Sequence, residues 1–226
     1  ADLKDAFDKA SQDADVKVIV LSWNVAAFCT GADLAYLKQL QSNSYEENLK
    51  DSQHLRDLFL QLYQFPKVII AQVRGAALAG GCGLVTVCDF CFATEEAKFG
   101  YTEVKIGFVP ALVMPFLVRK IGEAKARYLL LTGSQVSAKE AYTMGLVNCV
   151  SHDRTLTYDV EKLALYLARS NSAHSMMLTK KMLADTDHYN LEDALNLAAE
   201  LNARARDTHD CKRGIEAFLN KKKLDW

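Results

Sequence analysis

A chain of 226 residues can bury one sizeable core and carry a smaller appended unit. Its 27 Lys and Arg nearly cancel its 28 Asp and Glu, so no global field draws it to nucleic acid or to an anionic membrane. No apolar run is long enough to span a bilayer and no charged-then-apolar leader opens the sequence, which therefore reads as soluble and cytoplasmic.

The chain begins at Ala1 in an amphipathic helix pattern, with Leu3, Ala6, Phe7 and Ala10 on one face. Val16 to Trp23 is apolar and β-branched enough for a buried strand. The segment Phe28-Cys29-Thr30-Gly31-Ala32-Asp33-Leu34 comes next, and a helix is expected from about Asp33. Leu55, Leu58, Phe59 and Leu62 then recur at helical spacing until Pro66 ends the pattern. Val68 to Val73 is the next strand, running into Gly75-Ala76-Ala77-Leu78-Ala79-Gly80-Gly81-Cys82-Gly83. A further strand near Cys91 to Thr94 precedes Phe99-Gly100-Tyr101-Thr102-Glu103-Val104-Lys105-Ile106-Gly107-Phe108-Val109-Pro110. Strand, small-residue turn and helix thus repeat as a β-β-α spiral.

Ser137 with Glu140 forms a capping box for the helix that starts there. Beyond Gly145-Leu146-Val147 the pattern is fully helical. Val160, Leu163, Ala164 and Leu167 make one apolar stripe, and Leu191, Ala194, Leu195, Ala198 and Leu201 make another, both read as core packing. Lys180-Lys181 reads as an exposed helix face, and Lys221-Lys222-Lys223 as a solvated charge run.

The six cysteines sit mostly in apolar runs, where a free thiol behaves as a small hydrophobe, and a reducing compartment is the simplest fit. Cys88-Asp89-Phe90-Cys91 has redox-motif spacing, yet it lies in a strand-like stretch rather than at a helix start. The histidines are scattered without ligand spacing, so no metal is expected.

Bringing two backbone N–H groups onto one oxygen requires residues with little or no side chain, because a larger group blocks the approach. Gly31-Ala32 and Gly80-Gly81 meet that demand. The helix-like sequence after each adds unpaired N–H groups and a positive dipole end. The Phe99 to Pro110 segment supplies one carboxylate, Glu103, among apolar and aromatic neighbours that raise a carboxyl pKa and suit proton transfer. Tyr101 and Thr102 beside it read as packing residues, with orientation of Glu103 as the alternative.

These three segments, in this order, resemble the crotonase (enoyl-CoA hydratase/isomerase) superfamily. The resemblance covers nearly the whole chain and extends to Val87-Cys88-Asp89, Leu131-Thr132-Gly133, Ser137-Ala138-Lys139-Glu140-Ala141, Gly145-Leu146-Val147 and Gly214-Ile215-Glu216-Ala217-Phe218-Leu219. It implies an α/β fold with a spiral core over residues 1–155 and a C-terminal helical trimerisation region over 156–226. An upstream strand-rich stretch, with a basic loop that touches the CoA adenine and phosphates, is implied too and is not seen in this chain.

By the same resemblance, the N–H groups of Ala32 and Gly80 hold the thioester oxygen of an acyl-CoA and Glu103 is the acid/base. Gly31, Asp33, Leu34, Gly81 and Gly83 line the substrate site. Lys221 reaches a phosphate of CoA bound by a neighbouring subunit, within a homotrimer or a hexamer of two trimers. Coenzyme A is part of the substrate, and no separate cofactor is expected.

The familiar hydratases place a second glutamate where this chain has Gly83. A lone carboxylate suits the family's double-bond isomerases, whereas some hydratases of branched acyl-CoAs, such as methylglutaconyl-CoA hydratase, share the glycine. The Thr102 to Ala111 segment resembles those members most. Hydration of a 2-enoyl-CoA is therefore expected ahead of isomerisation, with a non-catalytic acyl-CoA-binding protein as a third reading. Glu103 argues against the third, since burying an unpaired carboxylate costs stability that binding does not need.

Overall fold

The computed structural model describes residues 2–23, 27–186 and 189–226, apart from the side chains of Asp2 and Leu34. Helix α1 (Asp2–Gln12) leads to strands β1 (Val18–Ser22) and β2 (Ala27–Cys29), followed by α2 (Leu34–Leu40) and α3 (Tyr45–Tyr63). The plan repeats as β3 (Val68–Val73), β4 (Ala76–Leu78) and α4 (Gly80–Val87). It repeats again as β5 (Phe90–Thr94), β6 (Lys98–Gly100), a 3₁₀ turn (Glu103–Ile106), α5 (Met114–Ile121) and α6 (Glu123–Thr132). Next come β7 (Val136–Ser137), α7 (Ala138–Met144) and β8 (Cys149–Ser151). The helices α8 (Asp153–Ser170), α9 (Ala173–Asp185), α10 (Leu191–Arg206) and α11 (His209–Leu219) follow.

In the first three repeats the first strand joins one four-stranded sheet and the second joins another; β8 completes the first, in the order β1-β3-β5-β8, and β7 the second, in the order β2-β4-β6-β7, pairing antiparallel with β6. The turns through β6 stack in parallel, Ile70 facing Phe90 in the first sheet and Ala76 facing Lys98 in the second. Parallel pairing requires a crossover between strands, and the helices supply it. This is the β-β-α spiral that the repeat of strand, turn and helix predicts.

All six residues of β3 are buried, as a central parallel strand requires. The polar one, Gln72, donates to the Thr157 hydroxyl at 3.5 Å. Asp89 ties β5 to β3, its carboxylate accepting from the Ile69 N–H at 2.7 Å while its own N–H donates to the Ile69 carbonyl at 3.0 Å. The capping box at Ser137 and Glu140 forms as expected. All six cysteines are free thiols, with Cys82, Cys88 and Cys91 buried. Among the described residues no helix is long and apolar enough to cross a membrane.

Three expectations are corrected. Strand β1 is not buried: its residues are half-buried or exposed because it lies at the edge of its sheet, with a neighbour on one side only. Helix α10 carries no fully buried residue: Leu191 and Leu195 are exposed while Ala194, Ala198 and Leu201 are half-buried, so that stripe is only partly covered rather than core. Lys180 does not simply face solvent, because its ammonium donates to the Lys67 carbonyl at 3.1 Å.

The chain divides into two compact units. One gathers residues up to Ile19, Gln64–Val68 and Lys162–Trp226. In it Phe7 packs edge-on against Phe65 at 5.0 Å between ring centroids, and the Arg213 guanidinium lies over the Trp226 ring at 5.2 Å. The other, Val20–Tyr63 with Ile69–Glu161, holds most of the spiral and both glycine turns.

Candidate active site

Parallel pairing makes β2, β4 and β6 leave their sheet at the same edge. Cys29 is in register with Ala77, and Leu78 with Gly100. The chain beyond each strand therefore emerges side by side: Gly31-Ala32 after β2, Ala79-Gly80 after β4 and Glu103 after β6. Residues distant in sequence meet there; a methyl group placed on Gly31 would lie 3.1 Å from the Ala79 Cβ and 4.0 Å from the Gly80 nitrogen. Gly31 itself has φ +101°, a conformation that L side chains rarely adopt.

Helix α4 starts at this edge with no side-chain cap on its first N–H groups. A Cβ on Gly80 would meet nothing within 4 Å, so the end of the helix faces open space. Uncapped N–H groups and the positive dipole end are what a developing oxyanion requires. At the opposite end of α4, the Lys120 ammonium donates to the Thr86 and Cys88 carbonyls at 3.0 and 2.5 Å, placing a cation where the dipole is negative.

Glu103 opens the 3₁₀ turn, which Gly107 closes in the left-handed region with its N–H directed at the Glu103 and Val104 carbonyls. Among the described residues, Glu103 Oε2 is the one buried side-chain oxygen or nitrogen without a hydrogen-bond partner. Leaving such an atom unpaired costs about 1–3 kcal/mol and calls for an explanation. Burial raises the Glu103 pKa above its ordinary 4.5, opposed only by a hydrogen bond from its own backbone N–H. The charge of Glu103 in turn reaches Cys82 in the first turn of α4, whose thiol burial pushes up to about 12.

The other expected site residues take more local roles. Asp33 caps α2, its carboxylate accepting from the Ala35 N–H at 2.7 Å and the Tyr36 N–H at 3.3 Å. Leu34 begins that helix, and its side chain lies outside the described atoms. Gly81 is where α4 presses on β2, since a Cβ there would stand 2.1 Å from the Cys29 carbonyl oxygen. Gly83 is buried against Val113 and Phe59, whose atoms would lie 2.3 and 3.1 Å from an added Cβ. Lys221 belongs to the other unit, exposed, at φ +54° just past α11.

Two features of this edge escape a reading of the sequence. Ala79 adopts φ +49° and ψ −129° without being glycine, and only its place between two glycine-bearing turns could have hinted at it. The apolar wall of Val113 and Phe59 beside Gly83 comes from two other helical stretches, and no local pattern announces it. Among the described residues no three His, Cys, Asp or Glu groups gather as a metal site.

The family model described as enoyl-CoA hydratase/isomerase matches residues 1–226. A Thermus thermophilus protein that carries an enoyl-CoA hydratase name is 44% identical over 97% of this chain and 87% of its own length. The crotonyl-CoA hydratase of Syntrophomonas wolfei is 31% identical over 100% of this chain and 86% of its own. Among solved structures, the Mycobacterium smegmatis enoyl-CoA hydratase superposes with a TM-score of 0.92 at 29% identity, covering 100% of this chain and 86% of that one. A match along the whole length, joined to the two-sheet spiral and the paired turns, leaves one assignment: the chain belongs to the enoyl-CoA hydratase/isomerase family and has the crotonase fold.

Proposed function

We propose that this enzyme hydrates a 2-enoyl-CoA, with Glu103 as the proton-transfer group and the N–H groups of Ala32 and Gly80 as the oxyanion hole. The carrying observation is the Glu103 carboxylate, half-buried with one oxygen unpartnered beside the uncapped end of α4. As water attacks the β-carbon, Glu103 takes the proton that the water loses, and the electrons of the double bond move onto the thioester oxygen. The enolate then collapses as Glu103 returns that proton to the α-carbon, so water is added and Glu103 ends as it began. Each N–H on the oxyanion is worth about 3 kcal/mol, and the positioned carboxyl roughly a hundredfold in rate or more.

A branched substrate such as 3-methylglutaconyl-CoA is the leading candidate, supported by the Thr102 to Ala111 segment. Isomerisation of a 3-enoyl-CoA is the second reading, and one observation favours it. Val113 and Phe59 fill the space beside Gly83, so no second carboxylate accompanies Glu103 there, and one carboxylate suffices to move a proton between two carbons. A scaffold that only binds acyl-CoA would have no use for the buried, unpartnered oxygen of Glu103.

Self-association as a trimer or hexamer is part of the proposal, supported by the exposed Leu191, Leu195, Ile215, Phe218 and Leu219 on α10 and α11. Lys221 is assigned to a CoA phosphate across that interface, a task that suits a compact ammonium on a flexible stem. The cytoplasm is the proposed location, since a reducing compartment suits six free thiols.

The test is a spectroscopic assay of conjugated thioester absorbance with crotonyl-CoA, 3-methylglutaconyl-CoA and a 3-enoyl-CoA. Loss with either 2-enoyl substrate is the expected result, and gain with the 3-enoyl substrate alone would establish the isomerase. Glu103→Gln is expected to abolish turnover while leaving CoA affinity nearly intact; full activity in that variant would remove Glu103 from the mechanism.

A further inference from the structure

Tyr101 has no exposed surface, yet it carries a hydroxyl into the core. Thr86 is also buried, and the two oxygens stand 2.5 Å apart. The Thr86 hydroxyl also reaches the Cys82 carbonyl at 2.9 Å, and with its one proton directed there it accepts from Tyr101.

That bond joins the two halves of the proposed site. Thr86 lies near the end of α4, the helix that opens with Gly80. Tyr101 stands two residues before Glu103. The same segment is held near the start of α4 as well, where the Ala79 N–H donates to the Gly100 carbonyl at 2.8 Å. One bond at each end of the helix therefore clamps Gly100-Tyr101 along it and fixes where the Glu103 turn begins.

Packing alone does not call for these hydroxyls. Phe and Val would fill the two places with nearly the same volume, and replacing both partners of a buried hydrogen bond by apolar groups is close to neutral for stability. What the pair adds is direction and register, which bulk alone does not provide. Burial keeps both the Tyr101 phenol and the Cys82 thiol protonated, so the network places no charge of its own beside Glu103.

Building on the proposed function, we propose that Tyr101, held by Thr86, is a positioning residue that sets the Glu103 carboxylate against the Gly80 N–H. Its role reaches the substrate only through Glu103.

The test compares Tyr101→Phe, Thr86→Val, their double variant and Thr86→Ser with the wild type and Glu103→Gln, on the three acyl-CoAs above. Tyr101→Phe and Thr86→Val are each expected to lower kcat about ten- to a hundredfold with KM within about twofold, as a small misplacement of a reacting group does. The double variant should be no worse than either single one, and Thr86→Ser, which keeps the acceptor, should lose far less. A second readout needs no turnover. In a carbon-13 NMR titration, the raised Glu103 pKa should fall toward its ordinary value in Tyr101→Phe, because a released turn admits water to the carboxylate. Unchanged kcat with unchanged titration in folded Tyr101→Phe overturns the proposal, as does a kcat loss that merely tracks a lowered Tm while the titration stays put. A wild type silent on all three substrates, or a fully active Glu103→Gln, overturns the proposed function instead, and the titration still decides whether the clamp orders Glu103.

Discussion

At Ala79 the backbone turns through φ +49° and ψ −129°, close to the mirror image of a type II corner, and a non-glycine residue there costs about 1–3 kcal/mol. The corner allows α4 to begin at Gly80, directly after β4, with its first N–H groups uncapped. A Cβ on Gly80 meets nothing within 4 Å beyond its own helix and chain neighbours, so Gly80→Val is expected to keep its Tm. If the proposed oxyanion hole is right, the variant should nonetheless lower kcat/KM about a hundredfold or more by obstructing one of its donors; steady-state kinetics beside a thermal melt separate the two effects. Glu103 is governed by burial, which favours its neutral form. Its folded pKa exceeds the unfolded value of 4.5, so the stability it lends is full below that value and is lost as pH rises through the folded pKa. Melting wild type and Glu103→Gln between pH 4 and 8 should therefore shift the difference in favour of the variant as pH rises. For the same reason the acid limb of kcat/KM should lie above pH 4.5, since in the proposed mechanism Glu103 is ionised when it accepts a proton.

Helix α4 shows how one element serves packing and chemistry with different glycines. Gly80 stands open, Gly81 lets the helix approach the Cys29 carbonyl, and Gly83 lets it pass Val113 and Phe59. Gly81→Ala is expected to destabilise the fold by about 3 kcal/mol, because a Cβ 2.1 Å from a backbone oxygen forces helix and strand apart. Denaturant unfolding measures it. Gly83→Glu, a natural way to restore a second carboxylate, should fail alone for a related reason, with Val113 Cγ1 at 2.3 Å. Combined with Val113→Ala it should regain stability, and only that pair tests whether a second carboxylate speeds hydration. The neighbouring aromatic cluster, Tyr63 on Phe116 at 5.0 Å and Phe59 on Phe116 at 6.4 Å, braces α3 against α5 behind this wall.

On the scale of the molecule, the exposed apolar side chains concentrate the question of assembly in α10 and α11, which carry Phe218 at 83% exposure and Leu191 at 77%. Where such groups form one contiguous patch, they mark an interaction surface. If the proposed trimer or hexamer forms through these helices, Phe218→Glu is expected to shift it toward monomer by light scattering while helical content is retained. If the wild type is itself a monomer, the apolar face has another purpose and the assignment of Lys221 to a neighbour's CoA falls with it.

Much of this protein is legible in its amino-acid sequence wherever the signal is local. The spacing of Leu58, Phe59 and Leu62 announces α3, the run Val68 to Val73 announces β3, and Ser137 with Glu140 announces a cap, because helical period, β-branching and capping act within a few residues. The glycine turns and Glu103 can be singled out as candidates for the same reason, the missing side chains of the one and the carboxylate of the other suiting a chemical demand. What tertiary structure decides is what depends on partners far away in the chain. Val16 to Trp23 becomes an edge rather than a core strand, and the Leu191 to Leu201 stripe stays half-covered, with Leu191 and Leu195 exposed, because burial depends on which neighbours arrive and not on the segment itself. Sheet register brings Gly31 to within reach of Gly80, packing of α3 and α5 fills the space beside Gly83, and the Tyr101 hydroxyl finds Thr86 across the helix that it helps to hold.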